Sequence, residues 1–212
     1  MTISSRSYKD QAADGQSELE KYLTPALVDF FNRLDKSEKV TFIEECFLRG
    51  SNSNELSSKM ITQLENSKGL SARYRFKIPY SSAIKYPDIT IFGKNLMVLI
   101  ESRIVSGITQ THGIQEKANG RAVDLFGQIE VYDRWLSSQN LDTGFVLLIH
   151  GIIPPGDFLT DDKTYQTPLR SVTTWQSIHT WFNRYGQKNN EGDIKYELAR
   201  NLAEYLRDQN MS

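Results

Sequence analysis

Disulfides, long apolar runs and an excess of one charge are all missing from this sequence. A single cysteine, Cys46, is present among the 212 residues, so no disulfide can form within the chain. The longest apolar run, residues 145–149, is far too short to span a bilayer, and we expect no membrane contact. Because the net charge is only −1, any affinity for nucleic acid has to come from a local patch.

Several catalytic motifs are also missing. The histidines His112, His150 and His179 lack the spacing of metal ligands, and no cysteine cluster accompanies them, which argues against a zinc site. The chain has neither a glycine-rich phosphate loop nor a G-x-S-x-G motif, so nucleotide hydrolysis and serine-type acyl transfer have no support. Cys46 has no histidine nearby in sequence and is expected to be a buried helix residue.

The composition is that of an ordinary globular protein, with 39% hydrophobic and 24% charged residues. Residues 1–16 are polar and lack the apolar core of a signal peptide. We therefore expect a flexible N-terminus, a cytoplasmic location and one domain over residues 17–212.

Apolar residues recur at helical spacing in five segments and predict amphipathic helices. The predicted ranges are 19–34, 40–48, 55–65, 175–185 and 194–207. A further helix is predicted over residues 116–138. Between the helices the period changes: residues 73–78 alternate between apolar and basic side chains, which is typical of a half-buried strand.

Residues 89–92 and 96–104 predict two more strands joined by a tight turn, and residues 145–149 predict a strand covered on both faces. The order is helices, three strands, helix, strand and helices. This order indicates an α/β protein built around a mixed sheet.

Two acids, Asp88 and Glu101, lie at the outer ends of the predicted hairpin, although acids are disfavoured in strands. A two-residue loop of Lys94 and Asn95 places Asp88 directly opposite Glu101, and a loop one residue earlier makes the acids diagonal neighbours. Either register puts both carboxylates on one face. A three-residue loop would separate them unless a bulge restored the phase. Arg103, two residues after Glu101, shares its face.

Neighbouring carboxylates repel each other, which raises one pKa unless a cation lies between them. A divalent metal would resolve this conflict, and oxygen ligands favour Mg²⁺ or Mn²⁺. Such an ion could activate water and stabilise charge during phosphodiester cleavage, with Arg103 near the same phosphate. In the simpler alternative, Asp88 is a turn residue after Pro87, and Glu101 forms an exposed strand pair with Arg103.

Pro87-Asp88 followed by Glu101-Ser102-Arg103 resembles the PD-(D/E)XK signature of the restriction-endonuclease-like nuclease superfamily. The predicted order of helix, three strands, helix and strand is similar to that core. EKYLTPAL at residues 20–27 looks like the first core helix of several members, and QIEVY at residues 128–132 is similar to the Q-x-x-x-Y element of RecB-type exonucleases. The resemblance implies a restriction-endonuclease-like mixed sheet flanked by helices, with extra helices near the N-terminus and at the C-terminus.

The resemblance also implies a metal held by Asp88, Glu101 and the backbone carbonyl of Ser102, with Glu20 as an outer or second-metal ligand. Arg103 stands where the family pattern has lysine. Because arginine cannot be deprotonated in a protein, Arg103 cannot act as a general base, although it can hold a phosphate.

Substrate contacts are expected from the helix after the third strand. Gln128 and Tyr132 are one turn apart and can contact the substrate together, with Lys117 and Arg121 nearby. Three lysines are candidates for the role of the family lysine that Arg103 replaces: Lys77, Lys85 and Lys117. The basic residues expected around the site are Arg73, Arg75, Lys77, Lys117, Arg121 and Arg134.

Two functions follow as expectations. The first is a Mg²⁺- or Mn²⁺-dependent nuclease that hydrolyses phosphodiester bonds of DNA, in restriction, repair or defence. The second is a catalytically inactive protein of the same fold that binds nucleic acid or another protein. Arg103 and the near-neutral charge motivate the second function, and a homodimer or a partner subunit is open in both.

Overall fold

A computed structural model of the chain describes residues 18–80, 83–104, 125–150, 154, 156–160, 165–188 and 192–212. The described helices are α1 (Glu18–Arg33), α2 (Lys36–Ile43), α3 (Asn54–Asn66), α4 (Leu125–Ser137), α5 (Trp175–Gly186) and α6 (Ile194–Asp208), with a π-helical turn at Glu44–Leu48. The strands are β1 (Ser71–Tyr74), β2 (Ile78–Tyr80), β3 (Ala83–Lys85), β4 (Ile89–Phe92), β5 (Leu96–Ile104), β6 (Asp142–His150) and β7 (Leu169–Thr174).

Five strands form one mixed sheet in the order β1-β4-β5-β6-β7. The first three are antiparallel neighbours, whereas β6 and β7 continue the sheet in parallel with β5. Strands β2 and β3 form a separate two-stranded hairpin. The predicted α/β class with a mixed sheet and flanking helices is therefore confirmed.

One face of the sheet packs against most of the helices. Leu27 and Phe30 of α1 and Phe182 of α5 join Ile91 and Val98 of the sheet in one buried cluster. Cys46 and Trp175 also belong to this cluster, as expected from the sequence. The five helices predicted for this layer are confirmed, except that the second is divided into α2 and the π-helical turn. Within the described ranges, no helix is long and apolar enough to cross a membrane.

The opposite face of the sheet packs against α4. Ile129 and Leu136 of this helix contact a cluster that includes Leu99, Phe145 and Leu147. Since β6 has neighbours on both faces and both edges, its continuous apolar run is buried as predicted. The predicted helix over residues 116–138 is described from Leu125 onward, and its earlier part lies outside the described residues.

The predicted strand over residues 73–78 is wrong in one respect. The chain leaves the sheet after Tyr74, because Arg75 adopts a left-handed conformation with φ of 49°. The described residues between 76 and 86 then form an excursion outside the five-stranded sheet that contains β2 and β3, and the chain returns to the sheet at β4. Neither β3 nor β7 was predicted from the sequence.

A side chain at one edge of the sheet and a loop at the other each cover part of that edge. Asn32 of α1 donates to the carbonyl of Ala72 at 2.9 Å and accepts its N–H at 2.8 Å. At the other edge, the N–H of Val172 donates to the carbonyl of Gly50 at 3.2 Å. A Cβ on Gly50 would lie 2.1 Å from the Val172 carbonyl oxygen, so only glycine allows this approach.

A buried arginine holds the loop before β7. Arg170 is 4% exposed, and its guanidinium donates to the carbonyls of Phe158 at 2.7 Å, Thr160 at 2.6 Å and Thr167 at 2.5 Å. The same guanidinium lies 5.9 Å from the ring centroid of Tyr165. Carbonyl dipoles thus stabilise this buried charge and tie the loop to the sheet.

We predict that Arg170→Met lowers the free energy of unfolding by about 2–4 kcal/mol, because it leaves buried carbonyls without a donor. Urea unfolding followed by circular dichroism measures the change. The matched control is Arg134→Met on α4, where the arginine side chain is 61% exposed, and a change within about 0.5 kcal/mol is expected there. Equal stability of the two variants would contradict a structural role for Arg170.

Candidate functional site

The β4–β5 hairpin brings the two predicted acids together. Ile89 pairs with Ile100, and the N–H of Gly93 donates to the carbonyl of Leu96 at 3.0 Å. The loop therefore consists of residues 94 and 95, and the same register places Asp88 directly opposite Glu101. Of the registers that the sequence left open, the two-residue loop of Lys94 and Asn95 is confirmed.

Both acids are buried on the face of the sheet that packs against α4. Side chains alternate along β5, so Glu101 lies on the same face as Leu99, which contacts the α4 cluster. Asp88 is 1% exposed and Glu101 is 2% exposed. Because both acids are buried, the alternative of an exposed strand pair is wrong. Charged residues are seldom buried this deeply without close partners.

The guanidinium of Arg103 lies between these acids. Its Nη2 is 2.5 Å from Oε1 of Glu101, and its Nη1 is 3.7 Å from Oδ2 of Asp88. Nη1 also donates to the backbone carbonyl of Ser102 at 2.9 Å. Asp88 Oδ2 accepts the N–H of Ser102 at 2.8 Å, which fixes the aspartate against β5. The Arg103 guanidinium thus contacts Asp88, Glu101 and the Ser102 carbonyl. These are the three groups on this hairpin that the resemblance assigns to metal binding.

This arrangement changes the expected charge balance. The sequence led us to expect a divalent metal between the carboxylates and Arg103 beside a phosphate. Arg103 instead pairs with both acids, so its positive charge already offsets part of their repulsion. Neutralising the acid pair therefore does not by itself require a metal.

The oxygens nevertheless fit a hard divalent cation. Carboxylate oxygens of Asp88 and Glu101 and the carbonyl of Ser102 converge on one guanidinium, so one cation can contact all of them. Mg²⁺ and Mn²⁺ prefer this type of ligand and complete their shell with water. Across the described part of the chain, no group of three or more His, Cys, Asp or Glu side chains could hold a metal ion. A metal here would use two side chains and one backbone oxygen.

Tyr132 of α4 forms the floor of the site. Its side chain is 1% exposed, and its ring centroid lies 6.2 Å from that of Phe145. Burial raises the pKa of the Tyr132 phenol well above its usual value, and the negative charges of Glu101 and Asp88 raise it further. The phenol is therefore a neutral group beside the acids, and direct contact with a substrate stays a prediction.

Arg75 is a second cation at the site, and its backbone position was not foreseen from the sequence. Its N–H donates to the carbonyl of Asp88 at 3.0 Å, so the end of β1 is tied directly to the first acid. Its guanidinium lies 5.4 Å from the ring centroid of Tyr86, a residue that is 41% exposed. The sequence showed only a basic residue in an alternating pattern, and it contains no turn residue that would mark the break.

The other predicted site residues lie in different surroundings, and some of them are outside the described part of the chain. Lys77 is exposed and Lys85 is partly exposed, and both lie on the excursion over residues 76–86. Arg73 stacks on Phe92 at 5.3 Å, and Arg134 pairs with the exposed Glu130. Several predicted positions lie outside the described residues: Lys117 and Arg121 entirely, and the side chains of Glu20 in α1 and Gln128 in α4.

Comparison with protein-family models, with curated proteins and with solved structures finds no match to this chain. The likeness of its motif to the PD-(D/E)XK signature therefore stands on the residues themselves.

A substitution at Ser102 separates the contribution of its side-chain hydroxyl from that of its backbone groups. Its side chain is fully buried, and Oγ has no hydrogen-bond partner among the described residues, whereas its backbone carbonyl and N–H are both bonded. We predict that Ser102→Ala leaves the free energy of unfolding unchanged or raises it by up to about 1 kcal/mol, because it removes an unpaired buried hydroxyl.

Denaturant unfolding measures this change, and Ser57→Ala is the matched control. Ser57 is also buried, but its Oγ lies 2.6 Å from Oγ of Ser51. Losing that bond is expected to lower the stability by about 1 kcal/mol. A larger loss at Ser102 than at Ser57 would mean that the Ser102 hydroxyl has a role of its own.

Proposed function

We propose that this chain is a metal-dependent nuclease that hydrolyses phosphodiester bonds of DNA. The observation that carries the proposal is the convergence of Asp88, Glu101 and the Ser102 carbonyl on one cation in a buried site. Buried acids placed together against the local preference of a strand are typical of functional sites.

The order of elements supports a restriction-endonuclease-like core for the same proposal. Along the chain, α1 precedes β1, β4 and β5, and α4 and β6 follow. This is the helix, three strands, helix and strand that the resemblance implies. Asp88 immediately precedes the second of those strands and Glu101 lies on the third, in the order of the PD-(D/E)XK signature.

Mg²⁺ or Mn²⁺, when bound, would polarise the phosphate and lower the pKa of an attacking water. Asp88, Glu101 and the Ser102 carbonyl would hold the ion, and the buried Tyr132 would keep water away from the α4 side. The water oxygen would form the new bond to phosphorus and lose a proton to solvent, and the bond from phosphorus to the leaving oxygen would break as that oxygen takes up a proton from solvent.

Arg103 has a defined part in this chemistry. A guanidinium stays protonated, so Arg103 cannot accept the proton of the water. Its planar fork suits two phosphate oxygens, and it can offset the charge that develops on them. Lys77 and Lys85, on the excursion before β4, are the described candidates for a lysine near the reacting phosphate.

DNA is proposed as the substrate because an exposed aromatic residue and cations flank the acids. The backbone N–H of Arg75 donates to the backbone carbonyl of Asp88, and the guanidinium of Arg75 stacks on the exposed ring of Tyr86. Lys85 precedes Tyr86 in sequence. Exposed rings stack on bases, and neighbouring cations neutralise the phosphates of the same strand. Because the net charge of the chain is only −1, affinity for DNA has to come from a local patch of cations such as this one.

We predict that Asp88→Asn and Glu101→Gln each reduce cleavage of DNA by roughly a hundredfold or more, because each removes a ligand charge from the site. Linear and circular DNA, single- and double-stranded, are incubated with Mg²⁺ or Mn²⁺ and resolved on gels. These replacements keep the shape of each side chain, and circular dichroism verifies that the variants are folded.

Glu130→Gln is the matched control, since Glu130 is an exposed acid on α4 that pairs with Arg134 at 3.6 Å. Its cleavage rate is expected to equal that of the unaltered chain. Cleavage that survives in Asp88→Asn and Glu101→Gln would come from another site or a contaminant and would refute the proposal.

A second candidate function is DNA binding without cleavage. The contacts of Arg103 with Asp88, Glu101 and the Ser102 carbonyl favour it, because a guanidinium held by these oxygens leaves a metal less room. The absence of cleavage by the folded chain, together with measurable DNA affinity, would select this function.

Under either function, we predict that Tyr86→Ala weakens binding of single-stranded DNA about tenfold, since one base-stacking contact contributes about 1–3 kcal/mol. Fluorescence anisotropy of a labelled oligonucleotide, recorded with EDTA to prevent cleavage, measures the change. Tyr22→Ala is the control, because Tyr22 is 53% exposed but lies on α1, 5.0 Å from Tyr205. Unchanged affinity in Tyr86→Ala would place the DNA elsewhere.

A further inference from the structure

The side chain of Arg103 folds back along its own strand onto the oxygens that precede it. Nη1 contacts both the Ser102 carbonyl, at 2.9 Å, and Asp88 Oδ2, at 3.7 Å, while Nη2 contacts Glu101 Oε1 at 2.5 Å. The arginine side chain is only 13% exposed, so most of it lies inside the site. These contacts are the ones that a cation ligated by the same three groups would make.

We propose that Arg103 competes with the metal for these oxygens, so that binding of a divalent ion releases the guanidinium toward the substrate phosphate. The inference rests on the proposed function, because it concerns the metal of that site. A Mg²⁺ ion needs its oxygens at about 2.0–2.1 Å, which leaves no place for a guanidinium on the same lone pairs. Two cations at this separation also repel each other strongly in a buried environment.

Arginine suits this competition better than lysine. Its planar fork contacts several oxygens at once, whereas a lysine ammonium is a compact charge on a flexible stem. Since the guanidinium stays protonated, Arg103 exchanges with the metal as a cation and does not have to gain or lose a proton itself. Arg103 therefore keeps the two buried acids partnered when no metal is present.

Release of Arg103 would also provide the metal-bound site with a guanidinium that can bind the phosphate. The guanidinium, once displaced, stays tethered to β5 next to the reacting phosphate and can hold two of its oxygens. Metal binding and phosphate binding are thereby coupled through one side chain. The affinity for the metal is lowered by the contacts that have to be broken, and removing those contacts should raise it.

The test measures Mn²⁺ affinity by isothermal titration calorimetry in the absence of DNA. We expect Arg103→Met to bind Mn²⁺ at least tenfold more tightly than the unaltered chain, and the double variant Asp88→Asn with Arg103→Met to lose that gain. Arg207→Met is the matched control, because Arg207 is an exposed cation on α6 that pairs with the exposed Asp208 at 3.9 Å. Its Mn²⁺ affinity should stay within about twofold of the unaltered value.

Because Arg103→Met leaves two buried acids without this partner, Arg103→Lys is measured in parallel. Lysine keeps the charge but makes fewer simultaneous contacts, so a several-fold gain in Mn²⁺ affinity is expected. The rise in melting temperature on adding Mn²⁺ should likewise be larger in both Arg103 variants than in the unaltered chain. Equal or weaker Mn²⁺ binding by the folded variants would overturn the inference.

The inference and the proposed function can fail separately. Tighter Mn²⁺ binding in the Arg103 variants, without DNA cleavage by any protein, would support the competition and refute the nuclease. Cleavage by the unaltered chain that needs Asp88, with Mn²⁺ affinity unchanged in the Arg103 variants, would support the nuclease and refute the competition. If no variant binds Mn²⁺, both are refuted.

Discussion

The register of the β4–β5 hairpin is the constraint on which the candidate site depends. Because the loop has two residues, Asp88 faces Glu101, and both carboxylates lie on the α4 side of the sheet. A slip of one residue would move Asp88 to the face covered by α1 and α5, where its neighbours are apolar. The same register pairs Ile89 with Ile100 on that apolar face, so packing of the core and alignment of the acids are fixed together.

Charge inside this protein is balanced over short distances. Arg103 is held by two carboxylates and a carbonyl, and Arg170 is held by backbone carbonyls alone. Asp133 of α4 is a buried anion held by backbone donors, since its carboxylate accepts the N–H groups of Gln166 and Thr167 at 2.7 Å. All of these charges lie toward α4, whereas the opposite face of the sheet packs against the larger apolar cluster. The two faces therefore differ, since one carries most of the apolar core and the other carries the buried charges.

Periodic features of the sequence were sufficient for the helices, the hairpin and the buried strand β6. The break at Arg75 could not be foreseen, because its left-handed conformation arises in a residue that carries no turn signal. Strand β7 was missed since its buried arginine, serine and threonine leave no apolar run that would mark a strand. The spacing of Glu101 and Arg103 predicted a shared face, but it could not reveal that the arginine turns back onto the acids, because that depends on side-chain rotamers.

The covered edges of the sheet limit how this chain can associate. An added β-strand, from a second copy or from a peptide, would first have to displace Asn32 from Ala72 or residues 50–52 from β7. Each exchange breaks existing hydrogen bonds, which lowers the free energy gained by adding a strand. A homodimer or a partner complex of this protein is therefore expected to form through helical surfaces or across a shared substrate, and the same protection disfavours aggregation through exposed strands.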